Sequence, residues 1–426
     1  MKKIVIIGFG GAGYNAARKA RRLAPDAVID VYSDTDIGPY NPMLTTYYVK
    51  GAIPYGALFP FGALETIEKE LKLNVFRNKP VTGMDAEIKT LRFADGSKAQ
   101  YDKILISTGA SAVMPPIPGL DLPGVFKMRT AADAVALKKR LDEGSIKTGL
   151  VIGASWVGIK VIEDLVTYGV KSTLVDGAPW AFFVATFEET AKRVQKDLED
   201  KGIVVSCGQM LDHIEQEDNG QLTAVMKNGQ WFTADTVAVC IGVRMNVGFL
   251  KESGLEMNRG VLVDKHMETN VPGIYAAGDC CEAIDIQCGK HRNIGVWFNA
   301  NEQGTVAGAN MAGIPMEFDA NVLVNLAHYL DYDFISIGDV SSCEPEDEVY
   351  EYEDDQYYIR GVKKRGGDLK CVNVINSADS NGILKNLFIK MFENEDAGLD
   401  IKSVCYLQWK GFPDSFINFL GGMTLD

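Results

Sequence analysis

No cysteine occurs before Cys207 in this chain of 426 residues. The eight that follow, Cys207, Cys240, Cys280, Cys281, Cys288, Cys343, Cys371 and Cys405, include no C-x-x-C pair, so they read as free cytoplasmic thiols rather than a disulfide framework. Basic residues are also short: 43 Lys+Arg stand against 57 Asp+Glu, a formal charge of −14. A nucleic-acid binder needs a basic face to neutralise phosphates, so that class is set aside. No stretch approaches the ~18 apolar residues that would span a bilayer. The run Ile4–Ile7 behind Lys2 and Lys3 breaks at Gly8 and is followed by Arg18, Arg21 and Arg22, which reads as structure rather than as a targeting signal. The four histidines, His213, His266, His291 and His328, show no ligand spacing, and no metal site is expected.

Glycine, by contrast, is abundant. There are 43 of them, against a usual share of roughly 7%. Glycine marks places where backbone must come close to something. Two such places follow from the hydrophobic pattern. Residues 3–8 read as a strand, 12–23 as a helix and Val28–Tyr32 as a second strand. About 145 residues later the design repeats, with a strand over Gly149–Ile152, a helix over Val157–Tyr168 and strands over Ser172–Val175 and Thr236–Ile241. Between the two, Ala99–Ser107 reads as one strand and Met114–Gly119 as a Pro-rich linker. From about residue 320 the chain turns to aromatic, acidic hairpin material such as Val349–Val362, with a helix near 382–392.

The first repeat holds Gly8-Phe9-Gly10-Gly11-Ala12-Gly13, a G-x-G-x-x-G between strand and helix. Gly8 makes the turn, Gly10 lets a pyrophosphate approach and Gly13 lets helix and strand pack. The helix N-terminus offers amide donors to phosphate. Asp34, near the end of the next strand, is placed to bind a ribose hydroxyl. In the second repeat, Gly153-Ala154-Ser155-Trp156-Val157-Gly158, Ser155 replaces the middle glycine and weakens the fingerprint without abolishing it. Asp176 ends the following strand; an acid there accepts from a free 2′-hydroxyl and repels a 2′-phosphate, favouring NADH over NADPH. Two dinucleotide sites imply two dinucleotides, and the useful pair is a flavin and a nicotinamide.

Further segments carry a resemblance. Ile106-Ser107-Thr108-Gly109-Ala110 with Pro115–Gly119 looks like a crossover from a flavin to a nicotinamide domain, and Cys240–Arg244 with Asn246 like the return strand. Gly273–Asp279 resembles a second flavin motif, and Ala300–Gly304 with Ala307-Gly308 the helix after it. Over residues 3–315 the chain resembles the FAD-dependent pyridine nucleotide-disulfide oxidoreductases, nearest their NADH oxidase, rubredoxin reductase and ferredoxin reductase branches. The resemblance implies an α/β fold with two Rossmann-like domains, for FAD and NAD, plus a C-terminal α+β domain. It implies an FAD-binding domain over 1–115 and 246–318, an NAD-binding domain over 116–245 and a C-terminal dimerisation domain over 319–426. It also implies that Gly8, Gly10, Gly13, Asp34, Thr108, Gly109, Gly278 and Asp279 hold FAD, and that Gly153, Ser155, Gly158, Asp176 and Gly242 hold NADH. The helix from about Asn299 would aim its N-terminus at the flavin.

The chain departs from that family in two ways. Members that reduce disulfides, and the water-forming NADH oxidases, keep a reactive cysteine near residues 40–50, where this chain reads Pro39-Tyr40-Asn41-Pro42-Met43-Leu44-Thr45-Thr46-Tyr47-Tyr48. A thiol relay is therefore absent there. Cys280 and Cys281 read as packing residues. A family glutamate two residues past the last nicotinamide glycine is Lys160 here. Lys160 is either a catalytic cation, binding an anionic acceptor or tuning the reduced flavin, or a surface lysine. The acidic stretch Glu344–Asp355 reads as an exposed hairpin strand; as a docking face it would take a basic or metal-rich partner.

The expected activity is FAD-dependent transfer from NADH to an acceptor without a cysteine relay, in a cytoplasmic homodimer. The acceptor is a small organic molecule. Two alternatives remain open: a flavin subunit exchanging electrons with an iron-sulfur or other metalloprotein, and a non-catalytic redox sensor responsive to NADH.

Overall fold

Ile4, Val5, Ile6 and Ile7 are β-branched and all but inaccessible to solvent, the signature of a strand covered on both faces. In the computed structural model, which describes residues 2–376, 381–393 and 398–423, that run is the central strand Lys3–Ile7 of a five-stranded sheet. The strand order is Ile274–Ala276, Lys103–Ile106, Lys3–Ile7, Val28–Tyr32 and Asn74–Phe76, and every pairing is parallel. This sheet belongs to a unit made of Met1–Ser111, Arg129–Ala131 and Val243–Asn321. Its helices Gly11–Leu23 and Trp297–Ala312 pack on small residues. A Cβ added at Gly304 would lie 2.2 Å from the Ala12 carbonyl oxygen, and one at Gly308 2.5 Å from that of Ala16. Only glycine lets the two backbones come so near.

One predicted element is corrected. Ala99–Ser107 is not a single strand: Lys98–Gln100 pairs antiparallel with Thr90–Phe93 in a separate small sheet, and Lys103–Ile106 joins the parallel one. The break falls at Tyr101 and Asp102, whose side chains bond Asp30 (2.9 Å) and the Lys3 amide (2.7 Å), so polar anchors turn the chain where the apolar pattern ran on.

The second unit comprises Ala112–Met128, Ala132–Gly242 and Val322–Asp426. Its parallel sheet runs Val204–Cys207, Lys171–Asp176, Thr148–Ile152, Thr236–Val239, Val125–Lys127. A three-stranded antiparallel sheet, Leu211–Gln216, Leu222–Met226 and Trp231–Ala234, buries Leu211, Ile214, Leu222 and Ala224 against Leu150, Ile152 and Val175. The C-terminal part forms a five-stranded antiparallel sheet ordered Val324–Tyr329, Tyr332–Gly338, Leu369–Ile375, Tyr358–Lys363, Glu348–Glu353, followed by helices Asn381–Glu393, Ile401–Trp409 and Asp414–Phe419. The buried Asn373 ties it to the rest of the unit, donating to the Ala185 carbonyl and accepting from the Phe187 amide. The acidic stretch is the outer strand of a hairpin. Four of its eight carboxylates are met by nearby cations: Asp347 by Lys370, Glu348 by Lys363, Glu351 by Arg360 and Glu353 by Arg193.

Candidate dinucleotide sites

In an open parallel sheet, ligands bind beyond the carboxyl ends of the strands where the strand order reverses. In the first unit the chain runs outward from Lys3–Ile7 on one side, then returns to fill Lys103–Ile106 and Ile274–Ala276 on the other. The residues singled out in the sequence lie where these strands end: Gly8, Asp34, Thr108 with Gly109, and Gly278 with Asp279.

The three glycines of the first turn do different work. Gly8 has φ +92°, and a Cβ there would lie 2.4 Å from the Ser107 carbonyl oxygen. At Gly13 it would lie 2.3 Å from the Gly8 oxygen. Gly10 meets nothing within 4 Å. The protein's own packing therefore requires the first and third, while the second opens onto space that a ligand can enter. The helix behind them, Gly11–Leu23, starts at Gly10 without a side-chain cap and with no acid in its first turn. The helix Trp297–Ala312 starts in the same way. The two N-termini adjoin, since a Cβ at Gly11 would touch Asn301 Oδ1 (2.6 Å) and the Trp297 ring (2.8 Å). Two adjoining helix ends, each without a side-chain cap and each the positive end of its helix dipole, suit a pyrophosphate or an anionic ring edge.

Asp34 is exposed, two residues beyond Tyr32. The Thr108 hydroxyl donates to the Asn246 carbonyl (2.8 Å), the Asn246 side-chain amide donates back to the Thr108 carbonyl (3.0 Å), and Gly109, φ +65°, has open space above it. Gly278 fits between Ala12 and Ala300, with its amide donating to Gln303 (2.8 Å). The Asp279 carboxylate accepts from Arg129 Nη2 at 2.6 Å, and Arg129 Nε donates to the Ala110 carbonyl. Arg129 escaped sequence reasoning: its partner is 150 residues away, and no local pattern marks it. Next to Asp279, Cys280 and Cys281 are buried and donate to backbone carbonyls, and burial pushes both thiols up. Both side chains are packed out of solvent.

The segment where family members carry a thiol forms a short 3-10 turn, Pro42–Leu44, and one helical turn, Thr45–Val49. Thr45 and Thr46 are buried there, and Asn41 caps the turn through the Met43 amide.

The second unit repeats the turn with a difference. At Gly153, φ +110°, a Cβ would lie 2.3 Å from the Cys240 oxygen, and at Gly158 1.8 Å from the Gly153 oxygen, while Gly242 has nothing within 4 Å. Ser155, in the middle glycine's place, caps its own helix: its Oγ accepts from the Gly158 amide (3.3 Å) and donates to the Cys240 carbonyl (2.9 Å). The Asp176 carboxylate accepts from the amides of Ala154 and Ala178, holding the turn, with lone pairs left over for a ribose hydroxyl. Burial pushes the Cys240 thiol up to about 12, so it stays protonated. Trp156, which begins the helix, stacks on Phe182 (centroids 4.0 Å apart) and Phe334 (5.2 Å), a cluster the sequence did not reveal.

Lys160 is not a surface residue. Its ammonium lies 2.5 Å from Glu163 one helical turn on, and donates to the His328 carbonyl at 2.9 Å. Among the described residues, no three His, Cys, Asp or Glu side chains gather as a metal would need, and no helix is long and apolar enough to cross a membrane.

Known proteins match this arrangement. A family model described as pyridine nucleotide-disulphide oxidoreductase covers residues 2–304. An NADH oxidase of Methanocaldococcus jannaschii is 31% identical over 321 residues, 74% of this chain and 71% of its own length. The epsilon subunit of an NADH-dependent phenylglyoxylate dehydrogenase from Aromatoleum evansii is 29% identical over 399 residues, 91% of both chains. Among solved structures, a water-forming NADH oxidase from Lactobacillus brevis bound to NADH superposes with a TM-score of 0.85 at 22% identity, covering 93% of this chain and 92% of that one.

Proposed function

The chain belongs to the pyridine nucleotide-disulphide oxidoreductase family and is an FAD-dependent NAD(P)H oxidoreductase, and from that premise we propose that it takes hydride from NADH and delivers the electrons without a cysteine relay. When bound, FAD supplies the hydride-accepting N5 and the route onward to the acceptor. The acceptor we propose is a small organic molecule.

This chain's residues divide the work. Gly10 and the uncapped start of Gly11–Leu23 would take the FAD pyrophosphate, between the structural glycines Gly8 and Gly13. Asp34 would take the adenosine ribose. Thr108, Gly109 and Gly278 would line the flavin's place, with Asp279, oriented by Arg129, on its ribityl chain or phosphate. The N-terminus of Trp297–Ala312 would stabilise negative charge on the reduced ring. For NADH the residues are Gly153, Ser155, Gly158, Asp176 and Gly242. On this reading 1–115 with 246–318 serve FAD, and 116–245 serve NADH.

The observation that carries the thiol-free step is the segment Pro39–Tyr48, which offers two buried threonine hydroxyls and no sulfur but Met43. A second reading, a flavin subunit serving a metalloprotein, draws support from the subunit relative that matches along 91% of both chains. Anaerobic reduction by NADH followed by an acceptor screen separates them. Reoxidation by quinone-like compounds at turnover rates supports the first; reoxidation only by cluster-bearing proteins moves the reaction to the second. A chain that binds no FAD when supplied with it ends both.

We further propose that 319–426 supports a homodimer. Ile401 and Trp409, 63% and 76% exposed on the helix Ile401–Trp409, offer an apolar face. Sedimentation at the mass of one chain would exclude it. The free thiols fit the reducing cytoplasm proposed from the sequence, which cell fractionation checks.

A further inference from the structure

Two thiols lie outside both glycine turns and take no part in the reaction above. Cys343 and Cys371 are 28 residues apart in sequence, yet their sulfurs are 3.3 Å apart. Cys371 is wholly buried in the strand Leu369–Ile375, while Cys343, half-buried, follows the short 3-10 turn Val340–Ser342.

Several features hold that turn against the strand. Gly338, φ +83°, ends the strand that leads into it, and a Cβ there would lie 2.1 Å from the Lys370 carbonyl oxygen, so any side chain would push that strand end away from Leu369–Ile375. Asp339 accepts from the amide and hydroxyl of Ser341 (2.9 and 2.6 Å). Lys370, next to Cys371, donates to the Ser342 carbonyl (2.8 Å) and to Asp347 (2.5 Å), clamping both ends of the loop that carries Cys343. The two sulfurs are also unequal. The Cys371 thiol as donor, and then the Lys370 ammonium, hold Cys343 below the usual thiol range, whereas its partnership with Cys343 and its burial push Cys371 up. Cys343 is the more accessible residue and its thiol is held down; Cys371 is out of solvent and its thiol is held up.

We propose that Cys343 and Cys371 are a peroxide-responsive dithiol, with Cys343 the attacking and Cys371 the resolving residue. The Cys343 thiolate attacks one oxygen of a hydroperoxide; a sulfur–oxygen bond forms as the oxygen–oxygen bond breaks, and the departing oxygen leaves protonated, as water from hydrogen peroxide or as an alcohol. The Cys371 sulfur then attacks Cys343 Sγ. A sulfur–sulfur bond forms, the sulfur–oxygen bond breaks, and the Cys371 proton leaves with the hydroxide as water. The two thiols lose two electrons and the peroxide gains them. Closing to a bond of about 2.05 Å asks the sulfurs to approach by little more than an ångström, which the turn bearing Cys343 can supply. A low-molecular-weight thiol reverses the change by exchange.

The test uses the full chain with FAD bound, reduced, desalted and exposed to hydrogen peroxide, then alkylated after denaturation and mapped by mass spectrometry without reductant. The expected result is a loss of about 2 Da as two thiol hydrogens leave, with a Cys343–Cys371 cross-linked peptide that dithiothreitol abolishes. In Cys371→Ser, Cys343 should stop at a sulfenic acid that dimedone traps. In Cys343→Ser, Cys371 should remain a thiol at the same dose. The proposal is overturned if Cys343 and Cys371 both stay alkylatable while the exposed Cys288 or Cys405 is oxidised, or if Cys343 pairs elsewhere. The parent chain alone gives either result, so the test holds even if a variant misfolds, and it does not depend on the acceptor.

Discussion

Gly10→Ala is expected to leave the apoprotein within about 1 kcal/mol of the parent's stability, the range for glycine-to-alanine exchange at a helix cap, while weakening FAD binding roughly 10- to 100-fold. Three glycines a few residues apart differ in what surrounds them. Gly10 has an extended backbone, φ −87° and ψ −159°, which alanine adopts freely, and nothing of the protein lies within 4 Å of its missing Cβ. A methyl group there costs the fold little. It would occupy the space through which, on the proposed reading, a pyrophosphate reaches the helix amides, and losing one hydrogen bond to a charged group costs about 1.5–3 kcal/mol, the origin of the fold-change. Gly13→Ala should do the opposite first. Its Cβ would sit 2.3 Å from the Gly8 oxygen, so the helix must shift and the apoprotein itself loses about 1–3 kcal/mol, as overpacked cores do. Urea denaturation of both apoproteins, with FAD titrated by fluorescence quenching, reads the two effects apart. Parental FAD affinity in Gly10→Ala would remove the pyrophosphate from this turn.

Lys160→Ala should destabilise the second unit by about 3–5 kcal/mol, the cost of removing one partner of a buried ion pair. The Lys160 and Glu163 side chains are only 11% and 8% exposed, so the Glu163 carboxylate left behind would have little water to turn to. Removing both charges together is a different matter, because well-packed apolar residues often replace a buried pair without loss. The double variant Lys160→Met/Glu163→Leu should therefore recover most of the stability, and denaturant midpoints measure that directly. The double variant also tests the catalytic reading of Lys160 in a folded protein. Unchanged flavin reduction by NADH, together with unchanged turnover, would retire Lys160 as a catalytic residue and leave it as the tie between its helix and the backbone at His328.

What the chain makes legible is whatever obeys a local period. The strand Lys3–Ile7, the helix after it and Val28–Tyr32 follow from runs of apolar and small residues, and the glycine turns from their spacing. What escapes is set by partners distant in sequence. Arg129 matters because of Asp279, and Cys343 because of Cys371. Neither pairing has a period to betray it. The strand predicted over Ala99–Ser107 fails for a related reason, since Tyr101 and Asp102 answer to Asp30 and to the Lys3 amide rather than to their neighbours. At Lys160 a local signal does exist. A lysine and a glutamate three residues apart on a helix face are natural partners, and that spacing points to a paired cation.

The two glycine turns also differ in what they lack when alone. In the second, Ser155 satisfies the Gly158 amide from within, so that turn carries a cap of its own. In the first, Gly10 supplies no side chain, and the helix behind it starts without a side-chain cap. A molecule that must depart after every cycle is best served by a berth that keeps its shape when vacant; one that stays for the life of the protein can be made part of the berth. On the proposed assignment of FAD to the first turn and NADH to the second, the difference between a serine and a glycine would separate a visitor from a resident, with opposite demands on residence time at two turns of otherwise common design.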